Sequence, residues 1–226
     1  RNRKRNKRIF LKGFMRPGFS IFARNFLVPI IQKSFIGKIK GEENIPQNTN
    51  FILAPNHQSY FDHFFCPIPT KKKLEKVHFI GKLESKWQAL QWGWFYWLAG
   101  TIPINRKSKD KRKVIEKALK FLKKGEIIII YPEGKRNKKK ELLEGKTGVA
   151  ELAIRSGVPV IPLGIIYKDK RPPSMPICLN VGKPLYFKQS EKYPKAYFGE
   201  NPNELREITN KIMREIGRLS EKEYPY

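Results

Sequence analysis

The sequence predicts an α/β protein in which a largely parallel, mixed β-sheet is flanked by helices and preceded by an N-terminal amphipathic helical hairpin. Short apolar runs typical of buried strands recur after Gly41, and amphipathic segments with helical spacing separate them. Parallel strands need long crossover connections, so this alternation favours a parallel sheet covered on both faces. A segment before Gly41, rich in aromatic and basic residues, predicts the hairpin.

Six apolar runs account for the predicted strands. They are Phe51–Ala54, Val77–Ile80, Thr101–Ile104, Ile127–Tyr131, Val158–Ile166 and Ile177–Val181. Predicted helices cover Ser108–Lys124 and Thr147–Ser156, and each is followed by a glycine that suits a helix C-terminus. Asn201-Pro202 followed by Glu204 predicts the start of a C-terminal helix that carries no chemistry.

Length and charge limit the classes of partner. The 226 residues are enough for one substantial core, and 47 basic against 20 acidic residues give a net charge of +27. The resulting positive potential favours anionic partners, which include nucleic acid, anionic lipid and an acidic carrier protein. Cys66 and Cys178 lack the spacing of a metal or redox pair, so no metal and no cofactor is predicted and a reducing cytoplasm is the simplest compartment.

The chain divides into three predicted regions: a solvated basic tail at residues 1–8, an amphipathic segment at 9–40 and an α/β domain at 41–226. Aromatic side chains mixed with lysine and arginine are typical of a helix lying in a lipid headgroup layer. An amphipathic hairpin packed on the domain is the alternative, and the net charge favours the membrane. The predicted membrane-interface residues are Phe10, Phe14, Phe19, Phe22 and Phe26.

The uncharged stretch from Trp87 to Asn105 resembles a membrane span but is too short. Its helical part is expected to end near Leu98, giving about 18 Å of helix where a bilayer core needs about 30 Å. We therefore expect a buried or interfacial helix. No signal peptide is visible, and the predicted location is the cytoplasmic face of the cell membrane, as a peripheral or monotopic protein.

His57 and Asp62 form the first candidate catalytic pair, directly after a predicted strand. On one continuous helix, residues five apart differ by about 140°, so these side chains can meet only if a helix begins between them. Ser59 is a suitable N-cap, which places Asp62 in the first turn. The carboxylate could then accept from one imidazole nitrogen and leave the other to act as a base. Alternatively, Asp62 completes a capping box with Ser59 and His57 is a structural histidine.

Two further groups stand at predicted strand ends. Arg106 ends the stretch from Gly100, and Arg136 ends Pro132-Glu133-Gly134-Lys135-Arg136. Forked, charge-assisted hydrogen bonds from such arginines suit a phosphate monoester, although either arginine alone is more typical of solvated surface charge. The run Val158–Pro162 is apolar and indicates core or an acyl-pocket wall.

These four blocks, in this order, resemble those of the glycerolipid acyltransferases, and most closely bacterial 1-acylglycerol-3-phosphate acyltransferases. The resemblance covers about Gly41 to Leu185. It implies an α/β fold with His57 as base and Asp62 as its orienting partner. It also implies that the glycerol-phosphate site is shaped by Arg106, Glu133, Gly134, Arg136, Lys82 and Lys146.

The sequence departs from the family at two positions. Lys135 replaces a usual threonine between the glycine and the arginine of the third block, so a hydroxyl is lost and a positive charge is gained. Gly145 replaces an aromatic residue that commonly precedes the later lysine. Both changes affect the expected shape of the acceptor pocket.

The resemblance implies transfer of an acyl group from acyl-ACP or acyl-CoA to lysophosphatidic acid at an anionic membrane surface, with no nucleic acid as partner. Glycerol 3-phosphate or another lysophospholipid is the alternative acceptor. Two other classes stay open from the residues alone. One is a non-catalytic basic module that binds a membrane or nucleic acid, and the other is a metal hydrolase built on His57, Asp62 and His63.

Overall fold

Seven strands form a single sheet within the described part of the chain. The computed structural model describes residues 18–82, 100–104, 112–169, 175–187 and 202–226. The strand order across the sheet is β1-β7-β6-β2-β5-β3-β4. Their bounds are β1 (Ile36–Lys40), β2 (Ile52–Pro55), β3 (Val77–Lys82), β4 (Ile102–Ile104), β5 (Ile127–Ile129), β6 (Val160–Tyr167) and β7 (Ile177–Val181).

Five neighbouring strands, β6, β2, β5, β3 and β4, run parallel to one another. Strand β7 is antiparallel to β6, and β1 is parallel to β7. Every residue of β2 and β5 is buried, as expected of strands covered on both faces. The predicted fold class, a largely parallel mixed sheet flanked by helices, is therefore confirmed.

Two helical layers cover the sheet, and β2 shows how their cores separate. Phe51 and Leu53 point into one apolar cluster, and Ile52 and Ala54 point into the other, because successive strand residues face opposite sides. The helices are α1 (Val28–Phe35), α2 (Asp62–Phe65), α3 (Arg112–Lys123), α4 (Gly148–Ser156) and α5 (Pro202–Ser220). Helices α3, α4 and α5 pack on the Ile52 side, and α1 and α2 pack on the Leu53 side. Short 3₁₀ segments lie at Glu42–Asn44 and Ile68–Lys76.

The N-terminal segment is helical over residues 18–35, including one π-helical turn at Ala23–Leu27. The other arm of the predicted hairpin lies outside the described residues, as does the predicted tail. Residues 36–40 were grouped with this helical segment in the sequence prediction, but they form the edge strand β1 instead. The sequence IGKIK has too few apolar residues to indicate a strand, and its pairing with β7 is what makes it one.

The helix boundaries follow the glycine signals closely. Helix α3 is described from Arg112, and Gly125 follows it with a φ of 76°. Helix α4 ends at Ser156, and Gly157 has a φ of 68°, which a residue with a Cβ tolerates poorly. The helix expected near Leu98 lies outside the described residues. Among those described, no helix combines the length and the apolar character that a membrane crossing requires.

Gly164 in β6 allows α5 to approach the sheet at backbone distance, which generates a stability prediction. A Cβ at this position would lie 2.2 Å from the carbonyl carbon and oxygen of Leu219. Because helix backbone cannot move aside as a side chain can, Gly164→Ala should lower the free energy of unfolding by at least about 2 kcal/mol. Thermal unfolding followed by circular dichroism measures this. Gly18→Ala, where a Cβ meets nothing within 4 Å, is the control and should leave Tm unchanged or slightly raised.

Candidate active site

The candidate site lies where β2 and β5 end. These neighbouring strands are parallel, so the residues that follow them emerge at the same edge of the sheet. His57 follows β2 by two residues, and Tyr131 and Glu133 follow β5. His57 and Glu133 are buried. Asn56 fixes the start of this loop, because its side chain donates to the Ile165 carbonyl and accepts from the Ile165 N–H.

His57 and Asp62 contact each other directly. The Nδ1 atom of His57 lies 2.9 Å from Oδ2 of Asp62. Asp62 is fully buried, and His57 is 7% exposed. A carboxylate accepts only, so the ring carries its proton on Nδ1 in this pair. The lone pair of a neutral ring then lies on Nε2, where a base is needed.

Three further donors hold the Asp62 carboxylate. Its Oδ2 atom accepts from the backbone N–H of Gln58 at 2.6 Å and of Ser59 at 2.8 Å. Its Oδ1 atom accepts from the Tyr167 hydroxyl at 2.6 Å. The carboxylate therefore cannot rotate away from the imidazole without breaking several buried hydrogen bonds, each of which is costly to lose.

The local fold that brings the pair together differs in one detail from the prediction. Helix α2 begins at Asp62, and Phe61 is its N-cap residue without a side-chain cap, so the prediction of Ser59 as N-cap is wrong. The Ser59 hydroxyl accepts from the N–H of Phe61 instead. Asp62 nevertheless reaches back to the Ser59 N–H, as in a capping box. The same oxygen serves both this contact and the imidazole.

Tyr131 and His63 form an aromatic wall around the imidazole. The Tyr131 ring stacks on His57 with centroids 4.0 Å apart, and the His63 ring lies edge-on at 5.4 Å. The Tyr131 hydroxyl contacts Nδ1 of His63 at 3.2 Å and Sγ of Cys66 at 3.4 Å. Burial raises the pKa of both Tyr131 and Cys66, so both remain neutral.

Glu133 organises the backbone around His57. One of its carboxylate oxygens accepts from the His57 N–H at 3.0 Å. The other accepts from the Asn137 side chain at 2.9 Å and from the Leu143 N–H at 3.1 Å. Asn137 in turn donates its N–H to the His57 carbonyl at 2.7 Å. The family resemblance predicts that Glu133 shapes the phosphate site. In the structure, both oxygens of its carboxylate accept hydrogen bonds from protein donors.

Two predicted phosphate-binding cations lie on the loop after β5. Arg136 is exposed, and its guanidinium carbon lies 3.3 Å from the centroid of the Tyr60 ring. Lys146 is exposed as well, and its aliphatic chain crosses Gly134, where a Cβ would meet Lys146 Cε at 2.5 Å. Gly134 has a φ of 71°, so this tight turn requires glycine. Arg106 and the side chain of Lys82 lie outside the described part.

Gly145, which replaces the expected aromatic residue, has a packing reason. A Cβ there would lie 2.5 Å from Cγ of Met213 and 2.7 Å from Cγ2 of Thr209, both on α5. The Gly145 carbonyl also accepts from Arg206 at 2.6 Å. Helix α5 therefore occupies the space that a larger side chain would need.

The N-terminal helix exposes a row of large apolar side chains, the apolar stripe, which consists of Ile21, Phe22, Phe26, Ile30 and Phe35. Phe22 is 49% exposed, Phe26 is 59% exposed, and their rings stack at 5.3 Å. Phe19 is half-buried, whereas Phe10 and Phe14 lie outside the described residues. Three further large apolar or aromatic side chains, Tyr60, Phe61 and Phe64, are exposed near His57.

The metal-hydrolase alternative required a cluster of ligands around His57. Among the described residues, no group of three or more His, Cys, Asp or Glu side chains is arranged to hold a metal ion. His63 directs Nδ1 at the Tyr131 hydroxyl, and Asp62 is engaged by four donors.

Several residues of the site were not identified from the sequence. Tyr131, Tyr167 and Asn137 each contact the His57 and Asp62 pair or its supporting backbone. Tyr131 could have been suspected, because it begins the polar turn that follows a strand. Tyr167 lies 105 residues from Asp62 and carries no local signal.

Comparisons with known proteins agree on one family. Residues 37–166 match the model of the acyltransferase family. The 1-acyl-sn-glycerol-3-phosphate acyltransferase of Escherichia coli K12 is 34% identical over 124 residues, which cover 50% of this chain and 46% of that protein. The enzyme of the same name from Borreliella burgdorferi is 29% identical over 134 residues, covering 55% and 49%. The chloroplastic enzyme BAT2 of Brassica napus is 30% identical over 139 residues, covering 60% and 39%.

The chain thus matches about half or less of the length of these relatives. A solved structure matches more completely. The crystal structure of the 1-acyl-sn-glycerophosphate acyltransferase PlsC from Thermotoga maritima superposes with a TM-score of 0.58 at 23% identity. The match covers 93% of this chain and 92% of that one, and it supports the fold.

The partly buried position of His63 against Tyr131 and His57 generates a prediction about pH. Burial, reinforced by the nearby His57 and Arg136, lowers the pKa of His63 from 6.5 to about 4, against an opposing contribution from Asp62. Between these values the unfolded chain binds the proton and the folded protein does not, so this contribution to stability is complete above pH 6.5, declines as the pH falls from 6.5 to 4 and levels off below 4. The loss should reach about 3 kcal/mol.

Two measurements check this expectation. Histidine NMR titration should give one midpoint near 4, and only three histidines need assignment. The difference in free energy of unfolding between wild type and His63→Phe should change between pH 6.5 and 4. A His63 midpoint near 6.5 would contradict the assignment.

Proposed function

Because the chain belongs to the acyltransferase family, we propose that it transfers a fatty acyl group from a thioester donor to the free sn-2 hydroxyl of 1-acylglycerol 3-phosphate, giving phosphatidic acid. The observation that carries this proposal is the 2.9 Å contact between His57 Nδ1 and the fixed Asp62 carboxylate. The names of the relatives support lysophosphatidic acid as the acceptor.

In the proposed reaction, Nε2 of neutral His57 takes the proton of the acceptor hydroxyl as its oxygen attacks the thioester carbonyl. A new C–O bond forms, and the carbonyl becomes a tetrahedral oxyanion. When this intermediate collapses, the C–S bond breaks and the imidazolium returns its proton to the departing thiolate. Acyl transfer is then complete without a covalent acyl-enzyme.

The contribution of Asp62 is to orient the ring and to stabilise the imidazolium while it exists. Its four hydrogen bonds hold the carboxylate in place before substrate binds. The Tyr131 ring restricts the imidazole from one side through stacking. A base held in position in this way avoids the entropic cost of orienting it during the reaction.

The acceptor phosphate is proposed to bind the cations on the loop after β5. Arg136 is held near the site by its contact with the Tyr60 ring, and Lys146 is held over Gly134. Guanidinium and ammonium groups suit a phosphate monoester through charge-assisted hydrogen bonds. Arg106 and Lys82 remain part of this proposal on the strength of the family resemblance. For Glu133 we propose an indirect part, in which it keeps the loops carrying His57 and Arg136 in register.

The lysophosphatidic acid acceptor requires access from a bilayer, and we propose that the exposed apolar stripe provides it. Phe22, Phe26 and Ile30 project from the N-terminal helix, and Phe61 and Phe64 project beside Asp62. Burying such side chains in an interface stabilises association with a membrane surface, and the positive charge adds attraction to anionic lipid. We place this surface on the cytoplasmic face of the cell membrane, where the acyl donor, acyl-ACP or acyl-CoA, is met.

The catalytic pair is tested by two substitutions. His57→Ala and Asp62→Asn should each lower kcat by about 10² to 10⁴, the usual contribution of a positioned general base. Product formation from a labelled acyl thioester measures the rate, and lipid binding should be nearly unchanged in His57→Ala. Asp169→Asn, an exposed carboxylate beyond β6, is the matched control. Wild-type turnover in His57→Ala would remove the proposed base.

The same assay decides the acceptor. Lysophosphatidic acid, glycerol 3-phosphate and an uncharged-headgroup lysolipid should each be supplied as sole acceptor. The proposal expects the highest kcat/KM with lysophosphatidic acid, since it combines the phosphate and the acyl chain. A higher value with glycerol 3-phosphate would assign the protein to the preceding acylation step.

The phosphate contact is tested separately at Arg136. Arg136→Gln removes the guanidinium but keeps a hydrogen-bonding side chain, so the KM for lysophosphatidic acid should rise about tenfold or more while kcat changes less. Lys138→Gln, exposed two residues further along the same loop, is the control for the loss of one positive charge. Equal effects of the two substitutions would reduce the role of Arg136 to general surface charge.

A further inference from the structure

Helix α3 carries an unusual exposed face, which we call the lysine row and define as Lys113, Lys117, Lys120 and Lys124. The first three residues lie in α3 and the fourth in the turn that follows it. At 3.6 residues per turn these positions fall within an arc of about 60° and extend over about 16 Å. All four are exposed. The opposite side of the helix buries Ile115, Ala118, Leu119 and Leu122.

The lysine row has a local cost to the helix. Like charges three and four residues apart repel one another. Among the described residues of α3, Glu116 is the one acid, and it pairs with Arg155 on α4. In the described part of the chain, no carboxylate forms an ion pair with a member of the row.

Helix α5 does not share this charge pattern. Its exposed and half-buried charged positions mix both signs, and Glu215 pairs with Arg218 three residues later. Both helices pack on the same side of the sheet and bury comparable apolar faces. The uniform sign of the lysine row is therefore not a general consequence of a basic chain.

The position of the lysine row argues against a membrane as its partner. Helix α3 packs on the Ile52 side of the sheet, whereas the helix that carries the exposed stripe packs on the Leu53 side. No large apolar side chain of α3 is exposed, and interfacial helices need such residues for insertion. Within the described residues of α3, no aromatic side chain is exposed for a nucleobase to stack on.

We propose that the lysine row is the docking surface for a soluble acidic protein that carries the acyl thioester. This inference rests on the proposed acyltransferase function and selects a protein-borne donor. Helix α3 covers β4 and β5 and runs antiparallel to them, because its Leu122 carbonyl accepts from the Asn50 side chain just before β2. The Lys113 end of the row therefore lies toward the edge of the sheet that carries His57. A carrier bound here approaches the catalytic edge from solvent while the apolar stripe occupies the bilayer. Both substrates then reach His57 from different sides.

The test removes the charge without removing the helix. In the variant Lys113→Gln/Lys117→Gln/Lys120→Gln, relief of repulsion should leave Tm equal or higher. Its KM for an acyl group on acidic acyl carrier protein should rise about tenfold at low salt, with kcat unchanged. Its KM for acyl-pantetheine, which presents the same thioester without a protein, should stay within twofold. In 1 M salt, where the Debye length is about 3 Å, the effect of the substitutions on KM should become similar for the two donors.

Matched variants separate this surface from total charge and from lipid binding. Lys168→Gln/Lys183→Gln/Arg214→Gln removes three exposed charges elsewhere and should leave both donors unaffected. Phe22→Ser/Phe26→Ser should lose binding to anionic phosphatidylglycerol vesicles, and the lysine-row variant should retain it.

Several results would overturn the inference. One is an equal rise in KM for acyl carrier protein and for acyl-pantetheine in the lysine-row variant. Another is an equal rise in KM for acyl carrier protein in the two charge variants. The third is a lysine-row variant that loses binding to vesicles or to RNA and shows no carrier-specific rise in KM. If wild type transfers from neither donor, the proposed function itself fails. In that case, calorimetry can still measure the affinity of acyl carrier protein for wild type and for the lysine-row variant. An unchanged affinity in the variant would refute the lysine row as the docking surface.

Discussion

The candidate site depends on one buried carboxylate. Asp62 accepts four hydrogen bonds, from the His57 ring, from two backbone N–H groups of the intervening loop and from the Tyr167 hydroxyl. A buried carboxylate must be surrounded by hydrogen-bond donors, because an unpaired buried charge is strongly destabilising. That requirement draws the loop after β2, the start of α2 and the end of β6 to one point. The orientation of the imidazole follows from satisfying the carboxylate.

A second carboxylate repeats this design on the other side of His57. Glu133 binds the His57 N–H, the Asn137 side chain and the Leu143 N–H, so its loop and the histidine loop cannot move independently. The same loop supports Lys146, whose N–H bonds the Pro132 carbonyl and whose side chain crosses Gly134. The proposed base and the proposed phosphate-binding cations are thus connected through buried polar contacts. Such contacts hold their geometry better than exposed ion pairs, which contribute little.

The two faces of the sheet carry surfaces of different character. The N-terminal helix exposes a row of apolar side chains on one face, and α3 exposes the lysine row on the other. The proposed reaction has to meet one substrate in the lipid and one in water. A sheet with its reactive residues at one edge allows both, because that edge is reachable from either helical layer.

The sequence by itself determined the class of fold and the local geometry in which His57 and Asp62 can meet. Strand and helix alternation specified the largely parallel sheet, because buried strands and amphipathic helices differ in the spacing of their apolar residues. The five-residue separation of His57 and Asp62 required a helix to begin between them, and α2 begins at Asp62. Glycine signals at 125 and 157 placed two helix ends, since a positive φ is a local property that the residue type reveals.

Only the tertiary structure decided the contacts between distant segments. Strand β1 is too polar to indicate a strand, and it exists because β7 supplies its hydrogen-bond partners. Tyr167 reaches Asp62 from 105 residues away, and Gly145 is required by the approach of Met213. Neither the Tyr167–Asp62 contact nor the Gly145–Met213 contact is indicated by a periodic sequence pattern or by a helix-capping motif. Local residue patterns encode backbone preference and burial, whereas the partner of a buried polar group is set by which strands become neighbours.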